Sequence, residues 1–402
     1  MSSSDGASTA AVSAVLHAIG RLAPVMRQDL VRDTGLSAAT VARAVTSLAD
    51  AGLIRERPDL LPAGTPGRPS IPVEPDDRQY MVLGLHVGQR LTTIALARMD
   101  GRVLVSTRQP TLRSTDGGFP VETVVGRLGN LVARFAPARV LALGVAGPWS
   151  DLPWDPDHVR NDLRRAIGLP VVVADHVAAI AGADVLDGSE RPAGSTLYFY
   201  ARETMGFVLA VDGRLPDDGK VGRLTHLPTG STARCDCGAV GCLGATAGDR
   251  SVIRRAQQAG LVAEPSMAAV VACADDGDGA ALELLRERAR VLGRAVAVVR
   301  DMLCPDRIVL AGQAFTAFPR TFADLVAAFQ SATALPAMEP TFAWMGAGVQ
   351  AIAATSCALR HVYADPLTII RQRNPNHLFG AGRGGVGLPN PSLSSRHRRL
   401  SA

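Results

Sequence analysis

No stretch of this 402-residue chain is apolar over the roughly 18 residues that a membrane span requires. Positive charge is missing from its beginning: residues 1–9 are rich in serine, and Asp5 is their one charged side chain. A secretory leader, with its basic head and apolar core, does not fit that composition. These absences predict a cytoplasmic protein with no membrane partner. Acid is missing from the other end. Nothing acidic follows Asp365, whereas Arg371, Arg373, Arg383, Arg396, Arg398 and Arg399 do. The net charge of +5 therefore resides in the tail, and the body is close to neutral. Cysteine is scarce, and three of the six, Cys235, Cys237 and Cys242, fall within eight residues. Such clustering in a chain without an export signal points to metal ligation over a disulfide framework. Cys273, Cys304 and Cys357 sit singly and are expected to be small buried core residues. No short-period repeat is present, so a chain of this length, 47% hydrophobic and 20% charged, divides into two or three globular domains.

What is present begins with helix. Ala11, Val12, Val15, Leu16 and Ile19 recur at the spacing of one helical face, with Gly20 as a stop. A short second helix is predicted over residues 26–33, ending at Thr34-Gly35. Ser37 then reads as the N-cap of a third helix carrying Val41, Val45 and Leu48 on one side and stopped by Gly52. The Pro/Gly-rich stretch 58–75 can be neither regular helix nor a central strand. Beyond it the pattern turns to α/β, with strands at 81–87, 91–98, 140–145 and 171–173 and a helix around 158–167. A second half opens near Thr196 with strands at 197–200 and 207–211. It runs through the cysteine cluster to a helix at about 280–303 and a strand at 307–311. From Thr368 the chain is rich in Arg, Asn, Pro, Gly and Ser, the composition of a disordered tail.

Helix, short helix, glycine turn, helix, then a Gly/Pro hairpin is the order of a winged helix-turn-helix. The outer face of the third helix carries Ser37, Thr40, Arg43, Ala44 and Ser47. Ser37 and Thr40 suit phosphates or base edges, and Arg43 suits guanine or phosphate. In the wing, Arg55, Arg57 and Arg68 supply charge, and Gly67-Arg68-Pro69 is narrow enough to enter a minor groove. Against this stands a weak electrostatic footprint: residues 1–78 hold 8 basic and 9 acidic side chains. The bland reading is an interaction module.

The remaining motifs are collinear with those of one family. Gly84-Leu85-His86-Val87-Gly88 is followed by Gly144-Val145-Ala146-Gly147-Pro148 and Val173-Ala174-Asp175. Then come His226, Cys235-Asp236-Cys237-Gly238-Ala239-Val240-Gly241-Cys242-Leu243, and Ile308-Val309-Leu310-Ala311-Gly312. With the winged helix in front, the chain resembles regulators of the ROK family (repressor, open reading frame, kinase) over residues 10–365. That resemblance implies an α/β fold: a winged helix-turn-helix followed by a two-lobed, actin-like ATPase or sugar-kinase-like body. The expected divisions are 1–57 for the DNA-binding domain, 58–78 for wing and linker, and 79–180 for the first lobe. The second lobe with its metal loop takes 181–366, and the basic tail 367–402. Three thiolates spaced Cys-x-Cys-Gly-x-x-Gly-Cys, with His226 nine residues upstream, make a tetrahedral Cys3His set suited to structural Zn2+. In the family the matching His and Cys residues ligate zinc.

Kinases of the family resemble Asp-x-Gly-Gly-Thr at the first phosphate loop; this chain has His86, Gly88, Gln89 and Arg90 there. Arg202-Glu203-Thr204-Met205 replaces the second loop, Gly-Thr-Gly, and Ala311-Gly312-Gln313 stands where kinases carry a run of glycines. Side chains in these loops obstruct the close backbone approach that phosphates need, so the chain is expected not to be an enzyme. The sugar subsite is altered too. Asp175, the base position of the kinases, remains, but a Glu gives way to Arg223 and another to Gly244; Asp151 stands near an expected Asn. The effector residues are accordingly Asp151, Asp175, Arg223 and His226, and the ligand a sugar derivative or an acidic molecule. The bland reading of Asp175 and Arg223 is an internal ion pair. Together these readings predict a homo-oligomeric regulator, a dimer, of a double-stranded DNA operator, with repression favoured by the resemblance. The alternatives are an inactive scaffold that binds other partners, or a sugar kinase.

Overall fold

The computed structural model describes residues 3–61, 71–111, 113–114, 117–135, 139–187, 193–216, 221–342 and 348–372. Its N-terminal part is three helices and a two-stranded ribbon. The first helix, Ser3–Leu22, runs through Gly20, which is no stop: a Cβ there would come within 3.0 Å of the Tyr363 ring. The second, Arg27–Thr34, ends on Gly35 in the left-handed region. The third, Ala38–Asp50, is capped by Ser37, whose Oγ accepts from the Thr40 N–H. Strands β1 (Ile54–Glu56) and β2 (Val73–Pro75) pair antiparallel, with Arg55 opposite Glu74. Both strands are edges, which is what the proline-rich flanks allow.

Two five-stranded sheets follow. The first contains β3 (Tyr80–Val87), β4 (Leu91–Arg98), β5 (Val103–Pro110), β6 (Arg139–Gly147) and β7 (Val171–Asp175), in the order 5-4-3-6-7. The second contains β8 (Ser195–Ala201), β9 (Met205–Val211), β10 (Gly222–Arg223), β11 (Arg307–Ala311) and β12 (Thr341–Phe342), in the order 10-9-8-11-12. In each, three antiparallel strands continue into two parallel ones. The lobes are thus a duplication of topology that no repeat in the sequence announces.

The packing of one element departs from the lobe division expected at residue 180. The helix Val349–Ala364, assigned from sequence to the second lobe, returns to pack on β3 and β6 of the first sheet. Gly84 and Gly144 permit this: a Cβ on Gly144 would lie 2.1 Å from the Ala354 carbonyl oxygen, and one on Gly84 would lie 2.7 Å from Thr355. The tail boundary also moves. Residues Pro366–Gln372 form a helix whose Ile369 is buried, because apolar side chains on this last turn join the core. Residues 373–402 lie outside the described residues.

The winged helix is not strung on a tether. Its core residues Leu16, Ile19 and Leu48 belong to one buried cluster with Tyr80, Met99, Val362 and Ile369. A backbone anchor crosses the seam, Tyr80 Oη donating to the Ala51 carbonyl at 3.1 Å, and within the body Tyr363 Oη donates to the Met99 carbonyl beside it. Among the described residues no helix is long and apolar enough to cross a membrane. Of the lone cysteines, Cys357 is buried and Cys273 partly so. Cys304 departs from expectation: it is exposed, capping the helix Gly279–Leu303 with φ of 47°.

Candidate functional site

Three places gather chemistry. The first is the exposed side of the third helix. Val41, Ala44, Val45 and Leu48 face the core, so Ala44 leaves the outer face that sequence spacing gave it. Ala39, Ala42 and Thr46 are exposed there instead, and a stricter count of the helical period would have found them. Ser37 and Thr40 bond one another at 2.9 Å, and Arg43 reaches Thr40 Oγ1 at 3.4 Å; Ser47 is half-buried. The wing arginines are spoken for. Arg55 lies 2.5 Å from Glu74, and Arg57 bridges Glu74 at 2.7 Å and Asp59 at 2.6 Å. The Arg57 guanidinium holds the Asp59 carboxyl below its usual range. Arg21, Arg27, Arg32 and Arg78 have carboxylate partners as well. Arg43 is the arginine of the described winged-helix residues whose recorded partner is a hydroxyl and no carboxylate. Arg68 lies outside the described residues.

The second place is the cleft end where the two phosphate loops would face. His86, at the end of β3, meets His176 edge-on at 6.5 Å between ring centroids, and His176 meets Tyr200 at 4.8 Å. His176 Nε2 lies 2.9 Å from Thr204 Oγ1. His86 Nδ1 is buried without a hydrogen-bond partner, and burial pushes its pKa down to about 3. Across the cleft, Arg250 donates to Gln89 Oε1 at 2.6 Å, its guanidinium held from behind by Glu203 at 2.5 Å. Arg202 sits 3.6 Å from Asp249, which buried Arg288 also grips. Side chains from both lobes therefore occupy and bridge the cleft end.

The third place is the loop between β10 and the helix Leu243–Ala247. His226, Cys235, Cys237 and Cys242 bring their ligand atoms within 4.8 Å of one another, a group able to hold a metal ion. The Cys237 and Cys242 sulfurs are 3.7 Å apart, and Cys235 Sγ is 3.6 Å from His226 Nδ1. A tetrahedron with Zn–S of about 2.3 Å and Zn–N of about 2.0 Å has edges of about 3.8 and 3.5 Å. Gly238 and Gly241, with φ of 89° and 80°, make the turns, and a Cβ on Gly241 would meet the Ser231 carbonyl at 2.7 Å. Burial, then the neighbouring Cys235 and Cys237 sulfurs, push the Cys242 thiol up to about 11. A metal ion takes cysteine as the thiolate, so a cation held here would keep Cys242 deprotonated against that burial.

The effector residues divide. Asp175 and Arg223 line one cavity of about 1100 Å3, whereas Asp151 and His226 lie outside its lining. Asp175 and Arg223 form no ion pair; Asp175 Oδ1 accepts from the Val177 N–H at 2.9 Å, and Arg223 is exposed. Sequence reasoning missed Arg160, Arg214 and Arg360 in that lining. They come from separate elements, and no local motif marks them.

Comparison with known proteins follows the geometry. The ROK family profile matches residues 82–349. The transcriptional regulator Rv0485 of Mycobacterium tuberculosis is 36% identical over 394 residues, 91% of this chain and 88% of its own. NagC of Escherichia coli, a DNA-binding transcriptional dual regulator, is 23% identical over 75% of this chain and 80% of its own. A crystal structure of a ROK family transcriptional regulator, a homologue of the Escherichia coli MLC protein, superposes with a TM-score of 0.75. It is 22% identical and covers 91% of this chain and 99% of that one. A ROK hexokinase from Thermus thermophilus covers 70% of this chain and 99% of its own with a TM-score of 0.57 and 25% identity.

Proposed function

This chain belongs to the ROK family, and we propose that within it the protein is a DNA-binding transcription regulator, a repressor, that has given up phosphoryl transfer. One observation carries the reading: a capped, outward-facing third helix in a helix-turn-helix, with Arg43 as its cation without a carboxylate partner. An unneutralised arginine on such a helix is what a phosphate or a guanine edge requires. Relatives that span 91% and 75% of the chain and are named transcriptional regulators support the same reading. The partner is a double-stranded DNA operator, read as two half-sites by a homodimer.

Loss of catalysis follows from the cleft. Phosphoryl transfer depends on positioning by backbone amides and a metal, and here Gln89, Arg202, Glu203 and Arg250 take up that space. The His/Cys set fits a structural Zn2+: four protein ligands leave no open coordination position for chemistry. The effector cleft, with Asp175 and Arg223, takes a sugar derivative or acidic ligand. The test is selection of DNA fragments by the purified, zinc-loaded protein at near-physiological salt. An enriched inverted repeat, lost in Arg43→Glu, is the expected outcome. Absence of enrichment from folded protein overturns the regulator reading and favours a partner-binding scaffold.

A further inference from the structure

The cavity that holds Asp175 and Arg223 has a wall that the body does not supply. Ser13 and His17, on the first helix of the winged helix, line it directly. Arg214 and Arg223 from the second lobe line it as well, with Arg360 from the helix that returns to the first. The volume, about 1100 Å3, suits a small molecule with water around it.

The electrostatics of the lining are uneven. Its four acids already accept hydrogen bonds from the protein: Asp100 from the Arg102 N–H, Asp157 from Arg160, Asp175 from the Val177 N–H and Asp212 from the Gly194 N–H. Arg214 and Arg223 have no carboxylate partner among the described residues. Two unneutralised guanidiniums facing one cavity are suited to the forked recognition of a phosphate or carboxylate. Asp175 keeps lone pairs that can accept from a hydroxyl, and Trp149 adds an apolar surface, its Nε1 tied to the Ala174 carbonyl at 2.7 Å.

We propose that this cavity takes a hydroxylated small molecule bearing a phosphate or carboxylate, and that the first helix of the DNA-binding domain is itself part of the binding site. The proposal deepens the regulator reading and rests on it for its biological sense. The ligand then touches the DNA-binding domain without an intermediary. His17 packs edge-on against Tyr363 at 5.1 Å, and that helix shares its buried core with Val362 and Ile369. A molecule seated between Ser13 and Arg360 changes how the winged helix sits on the body, and with it the spacing of two half-sites.

The test does not need an operator. Full-length protein is titrated calorimetrically with glucose 6-phosphate, gluconate and inorganic phosphate, and with glucose as the neutral control. At least one of the anions is expected to bind, tighter than glucose, and to lose tenfold or more in Arg223→Gln. Amide exchange on the bound protein is expected to slow in the first helix around residues 13–17. Ser13→Trp is expected to abolish binding while zinc content stays intact, and the milder Ser13→Gln keeps the test decisive if the tryptophan disturbs folding. Binding of glucose with no anion bound overturns the ligand class, as does no binding at all. Anion binding that ignores both Ser13 variants and leaves the first helix unprotected overturns the role of that helix. Because none of these readouts involves DNA, their failure is distinct from failure to enrich an operator.

Discussion

Two regions, the metal loop of the second lobe and the bridged cleft end between the lobes, carry motifs that the ROK resemblance ties to ligands, and they have met different fates. In the loop the ligand set and its geometry persist, with sulfurs 3.7 Å apart and two left-handed glycines holding the turns. At the cleft end the fold persists but the space is filled, with Arg250 reaching Gln89 across the lobes and the rings of His86, His176 and Tyr200 meeting edge-on. A metal loop is needed for folding, and its loss is felt whatever the protein does. A nucleotide cleft is needed only for turnover, and once turnover goes, filling it lets side chains hold the lobes together. The contrast teaches that family motifs survive for separate reasons.

The largest effect that sharpens this contrast is at the loop. Cys237→Ser, or a strong chelator on the wild type, is expected to remove bound zinc and lower the melting temperature by about 5 °C or more. Calorimetry with metal analysis checks it; an unchanged melting curve in zinc-free protein would mean that the loop has become as dispensable as the cleft. Next in size is Arg43→Ala, which leaves both regions untouched. It is expected to weaken operator binding by about 1–3 kcal/mol, roughly 5- to 150-fold, measured by mobility shift. Arg55→Ala should do much less, since Glu74 already holds that guanidinium.

The helices of the winged-helix domain and the cysteine loop were legible because their signals are local. Ser37 caps the helix that it precedes, and the four side chains that could hold a metal ion lie within seventeen residues of chain. What was hidden depends on distant partners. Gln89 and Arg250 are separated by 161 residues, so no window of sequence could join them. The pairing of Arg55 and Arg57 with Glu74 needed the ribbon's register, and that register spans a proline-rich stretch with no period to read. The return of Val349–Ala364 to the first sheet was likewise written in Gly84 and Gly144, which the sequence offered only as members of the family's collinear motifs. A motif can be recognised correctly while its physical reason in this chain is packing.

A third prediction concerns acid. His86 is neutral in the folded cleft, its pKa pushed down to about 3 by burial, whereas the unfolded chain protonates it near 6.5. Between those values the unfolded state binds more protons, so stability falls as pH is lowered through 6.5. At pH 5 the cost is about 2 kcal/mol. Denaturant titrations should show His86→Gln losing less stability than wild type between pH 7 and pH 5. Equal losses would place a water or an ion beside Nδ1 and make the cleft end wetter than its packing implies.

The smallest effect is the most discriminating. Arg250→Ala removes the bond to Gln89 and the exposed pair with Glu203, which together contribute less than about 1 kcal/mol because solvent screens them. If the bridge alone kept nucleotide out, ATP should bind the variant. We expect no binding in an equilibrium assay with labelled ATP, because His86, Arg202 and Thr204 still occupy the places where a phosphate needs bare backbone. Binding by the variant would mean that the cleft is latched and not overwritten, and that the difference between the two regions is one side chain deep.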